Sequence, residues 1–264
     1  MGQTPGIVRA CSEGPLGWVI FENAARLNAL SEDMSQMAEQ IVRGFSADDD
    51  IRVVILRGAG KKAFVSGGDI SKFENNQGDV KRDDTDRANY DALKLAIRKI
   101  EKPVLAMIYG YCLGGGLGLA LSADVRLAAS SAKLGIPAAK RGLGYPWPYM
   151  HQLVGIVGPA VAKDMIFSGR QIEAREAARL GLVNRVVATE ALEQETRKYA
   201  AILAENAPLT IRAAKYCIDE LTGGEGNPDR ERMQALIDAA NNSEDFREAT
   251  RSFMEKRKPV FRGM

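Results

Sequence analysis

The sequence predicts an α/β fold in which a parallel sheet, buried on both faces, is followed by a helical C-terminal region. Three observations carry this. Val53-Val54-Ile55-Leu56, residues 104–108 and residues 125–128 are continuous apolar runs of strand length, and strands apolar on both sides belong to parallel sheets covered by helices. Segments of helical period separate them, as parallel connections require. After about Pro159 the pattern changes to helix upon helix.

Taken in order, residues 6–10 and 17–21 read as two strands joined by a hairpin turn at Ser12-Glu13-Gly14-Pro15. Residues 31–45 read as a helix, with Ser31 as N-cap and Met34, Met37, Ala38, Ile41, Val42 and Phe45 at helical spacing. The first buried strand lies between Asp48-Asp49-Asp50 and Gly58-Ala59-Gly60, and the second is entered through Pro103. Residues 75–86 are polar and read as a mobile surface segment leading to a helix over about 85–100. Further helices are expected at 173–180, 190–205, 209–221 and 229–240. A last helix carrying Phe246 and Phe253 ends in Lys256-Arg257-Lys258-Pro259. Residues 223–228 form a breaker-rich loop.

The bulk numbers narrow the function classes. A length of 264 residues suits one large domain or a core with an appended helical unit. With 45% hydrophobic and 27% charged residues the balance is that of a globular protein. A net charge of +2 gives no general reason to expect a nucleic-acid or membrane partner. The three scattered cysteines lack a CxxC pair, and no signal-peptide core or run of about 18 apolar residues occurs. A cytoplasmic protein is therefore expected. The single histidine, His151, rules out a multi-histidine metal site, and no metal is expected.

Two glycine-rich turns stand out. Ser66-Gly67-Gly68 follows a buried strand, and Gly114-Gly115-Gly116 follows the strand that starts at Val104. Glycines let a backbone approach a ligand closely and leave N–H groups pointing outward. Two such turns facing one another would aim two amides at one oxygen, an oxyanion hole for an enolate. Each turn taken alone equally suits tight helix–strand packing. A dinucleotide fingerprint fails because position 119 is leucine, and Gly58-Ala59-Gly60-Lys61 lacks the upstream glycine and following Ser/Thr of a P-loop.

Several segments then align in order: Ala24-Ala25-Arg26-Leu27-Asn28-Ala29-Leu30, Ala63-Phe64-Val65-Ser66-Gly67-Gly68-Asp69-Ile70 and Gly110-Tyr111-Cys112-Leu113-Gly114-Gly115-Gly116. Ser122-Ala123-Asp124, Gly135-Ile136-Pro137, residues 177–184 and residues 255–261 continue the series. In order and spacing they resemble the crotonase (enoyl-CoA hydratase/isomerase) superfamily over nearly the whole chain. The resemblance implies a spiral of ββα repeats with an acyl-CoA site in residues 1–200. It also implies a C-terminal helical region, 201–264, that packs across subunits in a homotrimer or dimer of trimers. It places the amides of Gly68 and Gly115 on the thioester oxygen, where losing one donor costs on the order of 3–4 kcal/mol of transition-state stabilisation. Coenzyme A, part of the substrate rather than a separate cofactor, would run past Arg26, Leu27 and the backbone of Ala63 and Val65, with Lys256 near its phosphates. Arg26 and Lys256 read equally well as solvated surface charges.

Hydratases of that superfamily carry two glutamates that handle water. The matching positions here are Gly118 and Ala138, neither of which has a proton to give or take. Adding water across a double bond needs a positioned acid or base, so hydration by that route is not expected. Asp69, Glu74, Lys140 and Arg141 are ionisable groups nearby. The segment from Lys140 to Trp147 is similar to methylmalonyl-CoA decarboxylases of the superfamily, which lack the glutamate pair and have a tyrosine at the position of Tyr145. Departure of CO2 itself makes the enolate, so an oxyanion hole and a hydroxyl that orients the carboxylate suffice. The chain departs from those enzymes at Gly68, where they carry a histidine before the aspartate. Tyr145 reads equally well as a buried hydroxyl bonded to backbone. His151 reads as a helix-surface residue, Ser66 has no histidine partner for a triad, and Cys112 reads as a small buried residue. A non-catalytic acyl-CoA-binding protein is the alternative. RNA binding ranks last, since only residues 256–262 approach a basic stripe.

Overall fold

The computed structural model describes residues 5–68, 84–223 and 227–264, with the backbone alone for 84–86. The expectations for Asp69, Glu74 and the polar segment up to residue 83 lie outside the described residues.

Strands β1 (Ile7–Glu13) and β2 (Leu16–Glu22) form the expected antiparallel hairpin, turning through Gly14 and Pro15. Helix α1 (Glu32–Ala47) follows, its first turn held by Ser31 Oγ accepting from the Met34 amide at 3.3 Å. Met34, Ala38, Val42 and Phe45 are buried as the periodicity predicts, whereas Met37 lies on the exposed face.

Three units of one pattern come next. Strands β3 (Val53–Gly58) and β4 (Ala63–Val65) lead to helix α2 (Asp84–Lys99). Strands β5 (Val104–Ile108) and β6 (Tyr111–Leu113) lead to α3 (Gly115–Leu121), and β7 (Val125–Ala129) and β8 (Lys133–Gly135) lead to α4 (Trp147–Ser168). The first strand of each unit joins a six-stranded sheet ordered β1-β2-β3-β5-β7-β10, and the second joins a four-stranded sheet ordered β4-β6-β8-β9. The chain therefore climbs as a spiral of ββα units, the fold class expected. Strand β9 (Gln171–Glu173), helix α5 (Ala174–Arg179) and strand β10 (Arg185–Val187) close the two sheets. Helices α6 (Leu192–Glu205), α7 (Pro208–Thr222), α8 (Arg230–Asn241) and α9 (Glu244–Met254) complete the chain.

The continuous apolar runs are explained by two cores. Along β3, Val54 and Leu56 face one core with α1, α2 and α3, while Val53 and Ile55 face another with Trp18, Tyr109, Leu192 and Ala200. Alternate residues point to opposite faces, so covering both faces removes the polar positions. A division at residue 200 falls inside α6, and that helix belongs with the sheet its Leu192 and Ala200 cover.

The structure differs from the expectation of helix upon helix after Pro159. One helix runs from Trp147 through a kink at Gly158, whose φ is 76°, and two strands follow it. Strands of three residues carry too few side chains to show a period of two, so β4, β6, β8, β9 and β10 leave no pattern in the sequence.

Candidate active site

The two glycine turns meet because their strands are neighbours. Strands β4 and β6 pair in parallel, so the chain leaves both at the same sheet edge, and β8 ends beside them. Ligands collect outside the carboxyl ends of parallel strands for this reason. Gly114 donates its amide to the Gly135 carbonyl at 2.8 Å, and Leu30 donates to the Gly67 carbonyl at 2.8 Å.

Within the triplet each glycine has its own task. Gly114 stands before α3 at φ 54°, a left-handed conformation that disfavours other residues. A Cβ on Gly116 would overlap the Val65 carbonyl oxygen, so this glycine permits the close approach of α3 to β4. Gly115 opens the helix, where amides have no partner in the preceding turn. A Cβ placed on Gly115 would lie 3.6 Å from the Gly68 nitrogen, and one on Gly67 would lie 4.0 Å from the Gly115 nitrogen. The structure thus brings Gly68 and Gly115 together.

Arg26 and Leu27 form a turn against the same edge. Ser66 Oγ donates to the Arg26 carbonyl at 3.0 Å. Leu27 and Asn28 both take left-handed backbone angles, φ 52° and 58°. Asn28 holds them there: its Nδ2 donates to the carbonyls of Ala59 (3.1 Å) and Ala63 (2.9 Å), and its Oδ1 accepts from the Asn23 amide (3.0 Å). Leu27 is exposed, while the side chains of Ala63 and Val65 are fully buried and leave their backbone to line the edge. Lys256 is exposed beyond α9, and no hydrogen bond or ion pair among the described residues joins it to the glycine turns. Its neighbours Arg257 and Lys258 pair with Glu248 and Glu205, which breaks up the basic stripe.

Gly118, one helical turn after Gly115, lies under a polar cluster in which sequence reasoning singled out Tyr145 but missed Tyr90 and Lys94. A Cβ on Gly118 would stand 3.0 Å from the Tyr90 hydroxyl, 3.4 Å from the Tyr145 hydroxyl and 3.9 Å from the Lys94 amine. Tyr90 donates its hydroxyl to the Gly115 carbonyl. Burial, and to a lesser degree the nearby Tyr145 and Tyr149 hydroxyls, push the Tyr90 hydroxyl well above its usual range, so it stays a donor. The half-buried Tyr145 packs edge-on to Tyr149, ring centroids 5.8 Å apart. Tyr149 donates to Asp91. Tyr90 and Lys94 stand four residues apart on α2, on the face that buries Leu93 and Ile97. A lysine at a core-facing position of a periodic helix was the available signal.

The other candidates fall where their residue types suggest. His151 is exposed on α4, and Lys140 and Arg141 are exposed in a short 3-10 turn, Ala139–Arg141. Ala138 is buried. Cys112 is fully buried, and burial raises its thiol far above the reactive range. Among the described residues no group of three or more His, Cys, Asp and Glu side chains is placed to hold a metal ion, and no helix is long and apolar enough to cross a membrane. A groove of about 630 Å³ lies elsewhere, lined by Arg98, Lys215, Tyr216 and Asp219 among others.

A spiral of ββα units with two glycine turns side by side at one sheet edge defines a crotonase-fold protein. The chain belongs to the enoyl-CoA hydratase/isomerase family, whose sequence profile matches residues 14–264. That is a family of acyl-CoA-processing enzymes. The chain is 32% identical to the short-chain-enoyl-CoA hydratase of Clostridium acetobutylicum, over 93% of this chain and 94% of the relative. It is 34% identical to the crotonyl-CoA hydratase of Syntrophomonas wolfei, over 92% and 93%. Among solved structures, an enoyl-CoA hydratase/carnithine racemase from Magnetospirillum magneticum superposes with a TM-score of 0.89 at 33% identity, covering 99% of this chain and 97% of that one.

Proposed function

We propose that this protein stabilises an acyl-CoA thioester enolate between the amides of Gly68 and Gly115, and that it forms the enolate by decarboxylating a malonyl-type thioester rather than by adding water. The observation that carries the proposal is the surrounding of Gly118: two tyrosine hydroxyls and an amine, with no carboxylate among the groups nearest a Cβ there. Activating water by the superfamily's route calls for a carboxylate at these two positions, and Gly118 and Ala138 supply none. In decarboxylation the bond from C2 to the carboxylate breaks, its electron pair passes to the thioester oxygen, CO2 leaves and C2 then takes a proton. Tyr145 is set to orient the departing carboxylate from one turn beyond Gly115. The relatives' names favour hydration as the competing reading, so the two reactions are tested together.

Coenzyme A would lie along Arg26, Leu27 and the Ala63–Val65 backbone, as part of the substrate, with no separate cofactor. Residues 201–264 would form subunit contacts in a trimer or dimer of trimers, with Lys256 near the coenzyme phosphates. Three free cysteines suit the cytoplasm. The test offers malonyl-CoA, methylmalonyl-CoA and crotonyl-CoA separately and follows CO2 release and water addition by mass spectrometry. We expect CO2 release from a malonyl-type thioester and a loss of about 10- to 100-fold in Tyr145→Phe, the worth of a hydrogen bond to a charged group. Hydration of crotonyl-CoA at an enzyme-like rate would overturn the decarboxylase reading. Binding without turnover of any thioester would favour a non-catalytic acyl-CoA-binding protein.

A further inference from the structure

We propose that Lys94 is the proton-transfer residue of this site, giving a proton to C2 of the enolate and removing it again in the reverse direction. The inference rests on the enolate reading above but not on decarboxylation, since any enolate bound at Gly68 and Gly115 must exchange a proton at C2.

The position of Lys94 is unusual for a lysine. It is 6% exposed, on the face of α2 that carries Leu93 and Ile97 into the core. Lysines are almost never buried unless paired, yet among the described residues Lys94 forms no ion pair. Its amine sits 3.7 Å from the centroid of the Tyr149 ring and 5.9 Å from that of Tyr90. Its nearest acid along the helix, Asp91, is engaged by the Tyr149 hydroxyl and lies 3.8 Å from Arg87. The amine also reaches to 3.9 Å from a Cβ on Gly118, in the space that the glycine leaves open. Gly118 is one turn from Gly115, so the amine lies on the side of α3 towards which a thioester held by the two amides would extend.

Among the described residues, the titratable and charged groups around Lys94 are Tyr90, Asp91 and Arg98 from its own helix, Tyr145 from the segment before α4 and Tyr149 from the start of α4. Helix α3, residues Gly115–Leu121, contributes only glycine, leucine and alanine. Burial lowers the amine to about 7, partly opposed by Asp91 and assisted by Arg98. Near neutral pH both its forms are populated, the condition for an effective acid and base. A packing role alone would be filled by an apolar side chain without the cost of a buried amine.

The step balances without an added reactant. In one direction the C2–H bond breaks, its proton goes to the neutral amine of Lys94, and the electron pair passes to the thioester oxygen held by Gly68 and Gly115. In the other direction the ammonium returns a proton to C2 and the carbonyl reforms.

Butyryl-CoA, which has no carboxylate to lose, separates this inference from the decarboxylase reading. The protein is incubated with butyryl-CoA in D2O, and deuterium at C2 is followed by mass spectrometry from pH 6 to 9. We expect exchange that rises with pH through about 7 and then levels off. Lys94→Met and Lys94→Arg should each lose on the order of 10²- to 10⁴-fold of the exchange rate while still binding butyryl-CoA by calorimetry. The arginine variant keeps the charge and the stacking on Tyr149 but does not titrate, so its loss distinguishes proton transfer from packing. A small amine such as methylamine should restore part of the rate to Lys94→Ala. Exchange at the wild-type rate in Lys94→Arg, or a flat wild-type pH profile, would overturn the inference and leave the enolate reading standing. Absence of exchange in wild-type protein that binds butyryl-CoA would overturn both.

Discussion

At the scale of single residues, Lys94 and the glycine triplet show how different the reasons for a residue can be. A lysine amine held at about 7 instead of its ordinary 10.5 destabilises the fold wherever it must be charged. Between those values the unfolded chain binds a proton that the folded chain does not, so wild-type stability rises with pH across that window. Below about 7 both states carry the proton and the penalty is complete. Lys94→Met should therefore raise the unfolding midpoint, more at pH 6 than at pH 10, even as activity is lost. Thermal unfolding at the two pH values checks this, and an equal or lower midpoint in the variant at pH 6 would show that the amine carries no such penalty. The glycines act differently. Gly116 is needed for clearance at Val65 and Gly115 for an amide next to Gly68, and three adjacent glycines in a sequence do not reveal which does which.

At the scale of elements, Asn28 has the most leverage. It makes three hydrogen bonds: one within the turn to the Asn23 amide, and two that tie the turn at Arg26 and Leu27 to the carbonyls of Ala59, after β3, and Ala63, at the start of β4. Asn28→Ala leaves those groups buried without partners, at a cost on the order of 3 kcal/mol. If the turn cradles coenzyme A, the variant should also bind acyl-CoA more weakly, with KM rising more than kcat falls. Denaturant titration and steady-state kinetics read the two effects separately. The long elements were legible beforehand: Ser31 capping α1, the run at 104–108, and every helix from 173 onward fall within a few residues of expectation. Ten or more residues give the helical period room to show, and apolar runs between breakers mark buried strands. The three-residue strands were not legible, because their stability comes from partners in a sheet rather than from their own pattern.

At the scale of the whole molecule, the C-terminal helices end in apolar surface. Phe253 is 82% and Met254 77% exposed on or next to residues whose other face is fixed to the chain. The tail folds back, with the amides of Arg262 and Gly263 donating to Asp245 at 2.7 and 2.8 Å, so this surface is held in place. Contiguous exposed apolar side chains mark interaction surfaces. We expect a trimer or hexamer by mass photometry, and Phe253→Asp should shift it towards monomer. A wild-type monomer at micromolar concentration would remove the role assigned to residues 201–264.

The residue pattern by itself determined the α/β class, the helical C-terminal region, the two glycine turns and the absence of an acid or base at positions 118 and 138. These are local properties, written in apolar period, in breakers and in side-chain chemistry. Tertiary structure alone decided that the two turns share a sheet edge, since this follows from the pairing of β4 with β6. It also decided which polar groups surround Gly118. Tyr90 and Lys94, from α2, meet Tyr145 there, more than 50 positions later in the chain, because α2, α3 and the segment that leads into α4 pack together. Contacts of that kind depend on how whole elements dock, and a chain read one segment at a time holds no record of them.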